Sequence, residues 1–187
     1  IGNFDGVHLG HREIFRRVVG TARTCQAGAT VITFEPHPLR LLMPARAPLR
    51  INTPVEKVRL IRASCIDLLV ILPFTHKLAA LPAAEFVERI LVEKLAVRHL
   101  VIGYDYAFGR NREGDAVFLG AAAQRHGFTL EVLEPLRTGE EVYSSTRIRQ
   151  TLQRGDVSGV VGVLGRHFTL DGTVIAGDGR GRQLARE

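Results

Sequence analysis

Ile1-Gly2-Asn3-Phe4-Asp5-Gly6-Val7-His8-Leu9-Gly10-His11 opens the chain. It reads as the end of a strand, a glycine-rich turn and the start of a helix. Gly6 and Gly10 let the backbone turn tightly and approach a ligand closely. The apolar spacing in Glu13-Ile14-Phe15-Arg16-Arg17-Val18-Val19 predicts a helix over about 11–25. Its free N–H groups and positive dipole end point back at the turn. That is a place for phosphate, and two imidazoles three residues apart already stand in it.

Downstream, strand and helix signals alternate. Residues 29–34 (ATVITF), 67–72 (DLLVIL), 97–103 (VRHLVIG) and 128–133 (FTLEVL) suit buried parallel strands. Helices are expected at 54–63, with Thr53 as cap and Pro54 in the first turn. Further ones are expected at 82–95, at 116–126 ended by Gly127, and from Ser144-Ser145-Thr146 to about 154. Asp156 or Ser158 is a candidate cap for another short one. Residues 39–50 show no clear period and read as a long loop. The alternation predicts an α/β fold, a Rossmann-like parallel sheet with helices on both faces. Ligands then bind outside the carboxyl ends of the strands. The unusual loops 2–11, 35–38, 103–115 and 135–146 all follow strands, so the topology brings them to one face.

From Leu164 the character changes to β structure with turns over 164–175, followed by the basic glycine tract 177–182. This reads as a truncated β segment and divides the chain into domains 1–163 and 164–187. The start without Met, inside a motif, leads us to expect that most of a first strand lies upstream.

The 187 residues allow one α/β domain with a proper core, and a hydrophobic content of 45% excludes a disordered chain. No apolar run approaches a transmembrane length. Cys25 and Cys65 match no metal or redox spacing. They read as reduced, buried thiols of a cytoplasmic protein. The charge of +6 suits an anionic small substrate as well as nucleic acid. The arginines are scattered with no aromatic-interleaved stripe, so neither a nucleic-acid nor a membrane partner is expected.

The sharpest chemical signal is His8-x-Gly-His11. Positions three apart at a helix start share a face. Neutral imidazoles can donate to an oxyanion and stabilise charge on an α-phosphate under attack. The plain alternative is one capping and one exposed histidine. Ser144-Ser145-Thr146-Arg147-Ile148-Arg149 is the second signal: hydroxyls, free N–H groups and an arginine at a helix start cradle polyphosphate, or merely cap the helix. Two residues apart on a helix, Arg147 and Arg149 cannot both point inward; Arg149 is favoured for the reacting phosphates and Arg147 for the edge. The third, Gly103-Tyr104-Asp105-Tyr106-Ala107-Phe108-Gly109, either plugs the sheet end or walls a flat aromatic ligand, with Asp105 on its polar edge. In Thr33-Phe34-Glu35-Pro36-His37-Pro38, His37 reads as structural or rim. No nucleophile–base pair, zinc spacing or P-loop is found, and no metal ligand is assigned. That fits direct in-line transfer, with Mg²⁺ held largely by the nucleotide's phosphates and water.

At these residues the sequence resembles the bacterial FAD synthetases, the bifunctional riboflavin kinase/FMN adenylyltransferases. It is similar to their N-terminal module, which has the HxGH nucleotidyltransferase fold. The resemblance is carried by GNFDGVHLGHR (2–12), TFEPHP (33–38), LPFTHKLAALPAAEFV (72–87), GYDYAFGRNREGD (103–115) and SSTRIRQTLQRGDV (144–157), with LGRHFTLDGTVIAGDGRGR (164–182) similar to the junction with the kinase module. It implies the reaction FMN + ATP → FAD + pyrophosphate, with Mg²⁺. It also implies that the parent protein phosphorylates riboflavin. By motif position Gly2, Asn3, Phe4, Asp5, Gly6, His8, Gly10, His11, Ser145, Thr146, Arg147 and Arg149 would bind ATP. Among them His8, His11, Thr146 and Arg149 would act in catalysis. Phe34, Pro36, Tyr104, Asp105, Phe108 and Asp156 would line the flavin. Tyr106 and Tyr143 depart from the family pattern, and 183–187 stand where the family carries kinase chemistry, so kinase activity is not assigned to these residues. The rivals are an HxGH transferase for another phosphomonoester, such as pantetheine phosphate or nicotinamide mononucleotide, and a non-catalytic nucleotide- or RNA-binding module.

Overall fold

Asp67 sets the register of the first strand pair. Its Oδ2 accepts from the Ala29 amide at 2.7 Å, and its own amide donates to the Ala29 carbonyl at 2.9 Å. From there β1 (Thr30–Glu35) and β2 (Leu68–Pro73) run in parallel, Thr30 opposite Leu68 and Glu35 opposite Pro73. β3 (His99–Gly103) pairs in parallel with β4 (Thr129–Leu133). The computed structural model describes residues 1–138 and 141–175. The α/β character and the parallel pairing are as expected. The expected continuous sheet is instead two parallel pairs. A cleft of about 380 Å³ separates β1 from β3 and is lined by Ile1, Phe4, Ile32 and Val101 among others. β2 is an edge strand rather than a buried one: Leu68 and Ile71 are 49% and 44% exposed. Among the described residues β2 pairs only with β1, so its apolar run is covered on one side.

The helices follow their caps. α1 (Leu9–Thr24) begins two residues before the periodicity predicts, because His8 serves as its N-cap. α3 (Pro54–Arg62) is capped by Thr53, whose Oγ1 accepts from the Glu56 amide at 3.1 Å. α6 (Ala116–His126) is capped by Asp115 and stopped by left-handed Gly127. α7 (Ser145–Gln153) is capped by Ser144. The helix expected over 82–95 is present but divides: α5 (Ala83–Phe86) passes into a π-helical run over Val87–Lys94. Apolar spacing over two turns does not separate α from π winding. The expected loop 39–50 holds short helices, α2 (Pro38–Leu42) and a 3₁₀ turn over Pro44–Arg46, because His37 and Pro38 together start a helix. α4 (His76–Ala79) is likewise a single capped turn. β5 (Arg137–Thr138) and β6 (Glu141–Val142) form a small antiparallel hairpin.

α8 (Val161–Leu164) ends at left-handed Gly165. The β structure expected over 164–175 is not formed: after Gly165 no strand occurs among the described residues. A strand needs a hydrogen-bonding neighbour, and this segment packs side chains instead. Leu164 is fully buried with Ile51, Ile148, Val160 and Val163, and Phe168 rests against them. Thr169 donates to Glu56 at 2.9 Å. The tract 177–182 lies outside the described residues. Neither candidate cap heads α8; Asp156 accepts from the Gly159 amide at 2.7 Å in the turn before it. Cys25 and Cys65 are unpaired but exposed, not buried, since both fall in the turns that close helices.

Candidate active site

His8 and His11 form the centre. Their rings stack with centroids 3.6 Å apart and planes at 23°, because helical spacing over one turn puts both on one face. His8 is 5% exposed. Its Nδ1 accepts from the His11 amide at 3.4 Å, which places the proton of a neutral ring on Nε2. Burial, then the charges of Arg166 and Arg149, pull its pKa down to about 4, against Asp5, which pushes it up. His11 is driven well below its usual value by burial and by His8. Its Nδ1 has no partner among the described residues. The pair is therefore neutral at pH 7. Gly10 lets the stack sit close to the backbone: a Cβ there would lie 3.1 Å from the His8 ring, which would have to give by a few tenths of an ångström.

The turn before the histidines is strained and tightly held. Gly6 has φ +86°, and the flanking Phe4 and Val7 have φ of +49° and +39°. A β-branched residue in this region costs about 1–3 kcal/mol and persists only where its surroundings enforce it. Three side chains supply that enforcement. The Asp5 carboxylate accepts from the Ile51 amide at 3.1 Å and the Asn52 amide at 3.3 Å. Ser145 donates its hydroxyl to the Asp5 carbonyl at 2.7 Å. Arg166 donates to the carbonyls of Gly6 at 2.8 Å and Val7 at 3.1 Å. Phe4 is 3% exposed and packs edge-on against His11 and Phe15. Its ring is core, and only its backbone is left to line the turn. Gly2 sits over that ring and pairs with Ile32 through its amide, at 3.0 Å.

Arg149 sits with Asp5. Its Nη2 donates to Asp5 Oδ2 at 2.6 Å and its Nε to the Leu49 carbonyl at 2.7 Å. Thr146 is exposed in the first turn of α7, and Arg147 is half-buried beside it. Lys57 closes the other side. Its ammonium donates to the Asn3 carbonyl, Thr33 Oγ1 and the Phe34 carbonyl at 3.3–3.4 Å, and burial lowers its pKa. Beside it lies a small cavity of about 20 Å³ lined by Asn3, Asp5, Phe34, His37, Asn52 and Lys57 among others. Asn52 Oδ1 is buried there without a partner among the described residues. The Arg50–Glu35 ion pair rims it, and the Glu35–Pro36 peptide is cis.

Loops 2–11, 33–37, 49–52 and 143–149 are thus joined through contacts. The aromatic loop differs. Phe108 is 7% exposed, packs against Phe86, Tyr106 and Phe118, and pairs with Gly114 through both amides. In this arrangement its ring plugs the sheet end. The glycine at 114 is what admits its ring, since a Cβ there would lie 2.5 Å away. Tyr104 and Asp105 are exposed and remain available to a ligand. Asp156 is committed to its own turn. Phe34 stacks edge-on with Phe74 at 5.8 Å. Lys57 and Arg166 were not read from the sequence. Lys57 could have been, because Glu56-Lys57 falls on the inward face of α3, where paired charges are uncommon. Arg166 lies in the 164–182 stretch that resembles the family's junction, but no spacing there assigns it a role in the site.

Comparison with known proteins bears on this site directly. The FAD synthetase family model matches residues 1–147, which contain the histidine pair, the 33–37 loop and the start of α7. The bifunctional riboflavin kinase/FMN adenylyltransferase of Escherichia coli K12 is 35% identical over 184 residues, and that of Pseudomonas fluorescens is 38% identical. In both cases the match takes in 98% of this chain and 59% of the relative, so the chain spans about three fifths of their length. A crystal structure described as a macrolide-efflux protein from Streptococcus pneumoniae superposes with a TM-score of 0.85 at 30% identity, over 99% of this chain and 60% of that one. With its neutral histidine stack on a glycine-rich turn and a family match across that whole region, the chain belongs to the FAD synthetase family.

Proposed function

We propose that this chain transfers the adenylyl group of ATP to FMN, releasing pyrophosphate and giving FAD. The observation that carries the reading is the buried, neutral His8–His11 stack at the N-terminus of α1. A phosphate oxygen of FMN attacks the α-phosphorus of ATP, the new P–O bond forms as the bond to pyrophosphate breaks, and no protein group is modified. His8, with its proton on Nε2, donates to an α-phosphate oxygen and steadies charge in the transition state. The amides that open α1 and α7 support the same phosphates. Among the described residues no group of three or more His, Cys, Asp or Glu could hold a metal. In this reading Mg²⁺ arrives on the ATP phosphates as part of the substrate, held largely by those phosphates and water.

On the flavin side we assign Tyr104, Asp105, Phe34 and Pro36, with Phe108 supporting the loop from the core. The exposed, unpaired thiols suit a reducing cytoplasm. No described helix is long and apolar enough to cross a membrane. The riboflavin kinase half of the relatives' name is not carried over to these residues. Incubating the protein with ATP, Mg²⁺ and FMN, against pantetheine phosphate and nicotinamide mononucleotide as rival acceptors, tests the reading. FAD and pyrophosphate in equal amounts are expected. Transfer to a rival acceptor in preference to FMN, or none at all, overturns it.

A further inference from the structure

Arg166 lies beyond the region the family model matches, and nothing in the reaction requires it to meet a substrate. Its guanidinium nevertheless reaches back 160 positions to the site's central turn: Nη2 donates to the Gly6 carbonyl at 2.8 Å and Nη1 to the Val7 carbonyl at 3.1 Å, with Nη1 also 3.4 Å from the Leu164 carbonyl. Gly6 and Val7 are the two successive residues with positive φ that end at His8. A planar fork bonded to both carbonyls fixes the rotation of the peptide between them.

The segment that carries Arg166 is anchored on both sides. Leu164 is buried and Phe168 packs on the same cluster, Thr169 bonds to Glu56, and Asp171 pairs with Arg59 at 3.6 Å. The arginine is itself half-buried, with Glu56, Arg12 and Arg59 as its charged neighbours.

We propose that Arg166 is a positioning residue for adenylyl transfer: it clamps the Gly6–Val7 carbonyls and thereby fixes where His8 sits, so that the segment after α8 is part of the site. The proposal rests on the adenylyl-transfer reading for its kinetic consequence, but the clamp has a signature of its own. His8 is faced by Asp5 from the turn, Arg149 from α7, its stacked partner His11, and Arg166. Of these, Arg166 is the largest electrostatic influence that holds its proton affinity down.

The test uses the full-length protein and two substitutions, Arg166→Lys and Arg166→Gln, with FAD formation measured across pH and the His8 ring titrated by NMR without substrate. Arg166→Gln is expected to lower kcat by about tenfold to a hundredfold, the cost of a small misplacement, with KM for ATP nearly unchanged. It also moves the His8 titration upward toward the ordinary value near 6.5. Arg166→Lys keeps the charge and loses the fork, so its kcat falls less and its His8 titration stays where it is in the unaltered protein. A kcat for Arg166→Gln within about twofold of the parent, or an unmoved His8 titration, overturns the proposal. If Arg166→Gln does not fold, Arg166→Lys decides alone: reduced kcat at an unshifted titration supports the clamp, and parental kcat overturns it. Should the parent protein make no FAD from FMN, adenylyl transfer to FMN fails as the function, while an unmoved His8 titration in Arg166→Gln still overturns the placement of Arg166 beside His8.

Discussion

Arg149 Nη2 lies 2.6 Å from Asp5 Oδ2, and the two side chains are only 16% and 12% exposed. The pair ties the helix that opens after β6 to the first turn of the chain. It also fixes 49–52, because Asp5 accepts from the Ile51 and Asn52 amides while Arg149 holds the Leu49 carbonyl. An arginine expected to meet the phosphates thus first builds the wall around them. Asp5→Asn keeps the shape and removes the charge. Breaking one side of a largely buried pair costs about 3 kcal/mol, read as a lower midpoint in urea. The double cycle with Arg149→Met is expected to show a coupling of about 1–3 kcal/mol. A coupling near zero would mean that the two side chains only happen to be adjacent.

Gly10→Ala separates stability from activity. Alanine is worth about 1 kcal/mol over glycine inside a helix, and Gly10 is the second residue of α1. Its new Cβ would press on the His8 ring, 3.1 Å away, and the ring is buried with His11 stacked beside it. The thermal midpoint should hold or rise while kcat falls by about tenfold or more. Unaltered kcat would show that the stack tolerates displacement and that its geometry does not govern the reaction.

The strand and helix order was legible because each element carries a local cause. Thr53-Pro54, Asp115 and Gly127 mark helix ends by their own backbone chemistry, and the β-branched runs at 30–35 and 99–103 sit in strands accordingly. The histidine pair was legible for the same reason, since a three-residue spacing at a helix start is a geometric statement. What did not show was where long side chains end. Arg149 satisfies Asp5 across 144 positions, and Arg166 satisfies the turn across 160; periodicity holds no information about either. The burial of Phe108 was hidden for a different reason. An aromatic between two glycines looks free, yet Gly114 leaves room for its ring beside Phe86 and Phe118.

Acid should weaken the fold through the histidines. His8 has a folded pKa near 4 against an ordinary 6.5, and His11 is lowered as well. The unfolded chain therefore binds more protons below pH 6.5, so stability is complete above that value and falls as pH drops through about 6.5 toward 4. A loss of a few kcal/mol is expected across this window, measured as urea midpoints at pH 4.5 and pH 8. His8→Asn should flatten part of the slope. A profile that is flat in the parent protein would mean that the imidazoles are solvated and not held neutral.

Lys57→Met tests the second clamp. The methionine fills the stem's volume but leaves the Asn3 and Phe34 carbonyls and Thr33 Oγ1 without their shared donor. The Asn3 carbonyl keeps the Thr33 hydroxyl as a donor at 3.2 Å, and stripping the charged donor from these buried acceptors costs about 1–3 kcal/mol. Because those carbonyls border the opening turn, KM for ATP should rise along with the loss of stability. A variant as stable as the parent, with its KM unchanged, would show that water replaces the ammonium at no cost.

Phe108 and Tyr104 stand four residues apart and should respond in opposite ways. Phe108 is 7% exposed and enclosed by three aromatic rings. Truncating such a ring to alanine costs about 3–5 kcal/mol, so Phe108→Ala should unfold at a clearly lower temperature. At a temperature where it stays folded, its KM for FMN should be close to the parent's. Tyr104 is 52% exposed, so Tyr104→Ala should leave the thermal midpoint within a degree or two, given that surface changes stay within about 0.5 kcal/mol. If Tyr104 stacks on the flavin, its KM for FMN should rise severalfold, in line with about 0.5–1.5 kcal/mol for an aromatic pair. The reverse pattern, with Phe108→Ala stable but blind to FMN, would place the Phe108 ring in the binding site and require the loop 103–115 to open when the flavin arrives.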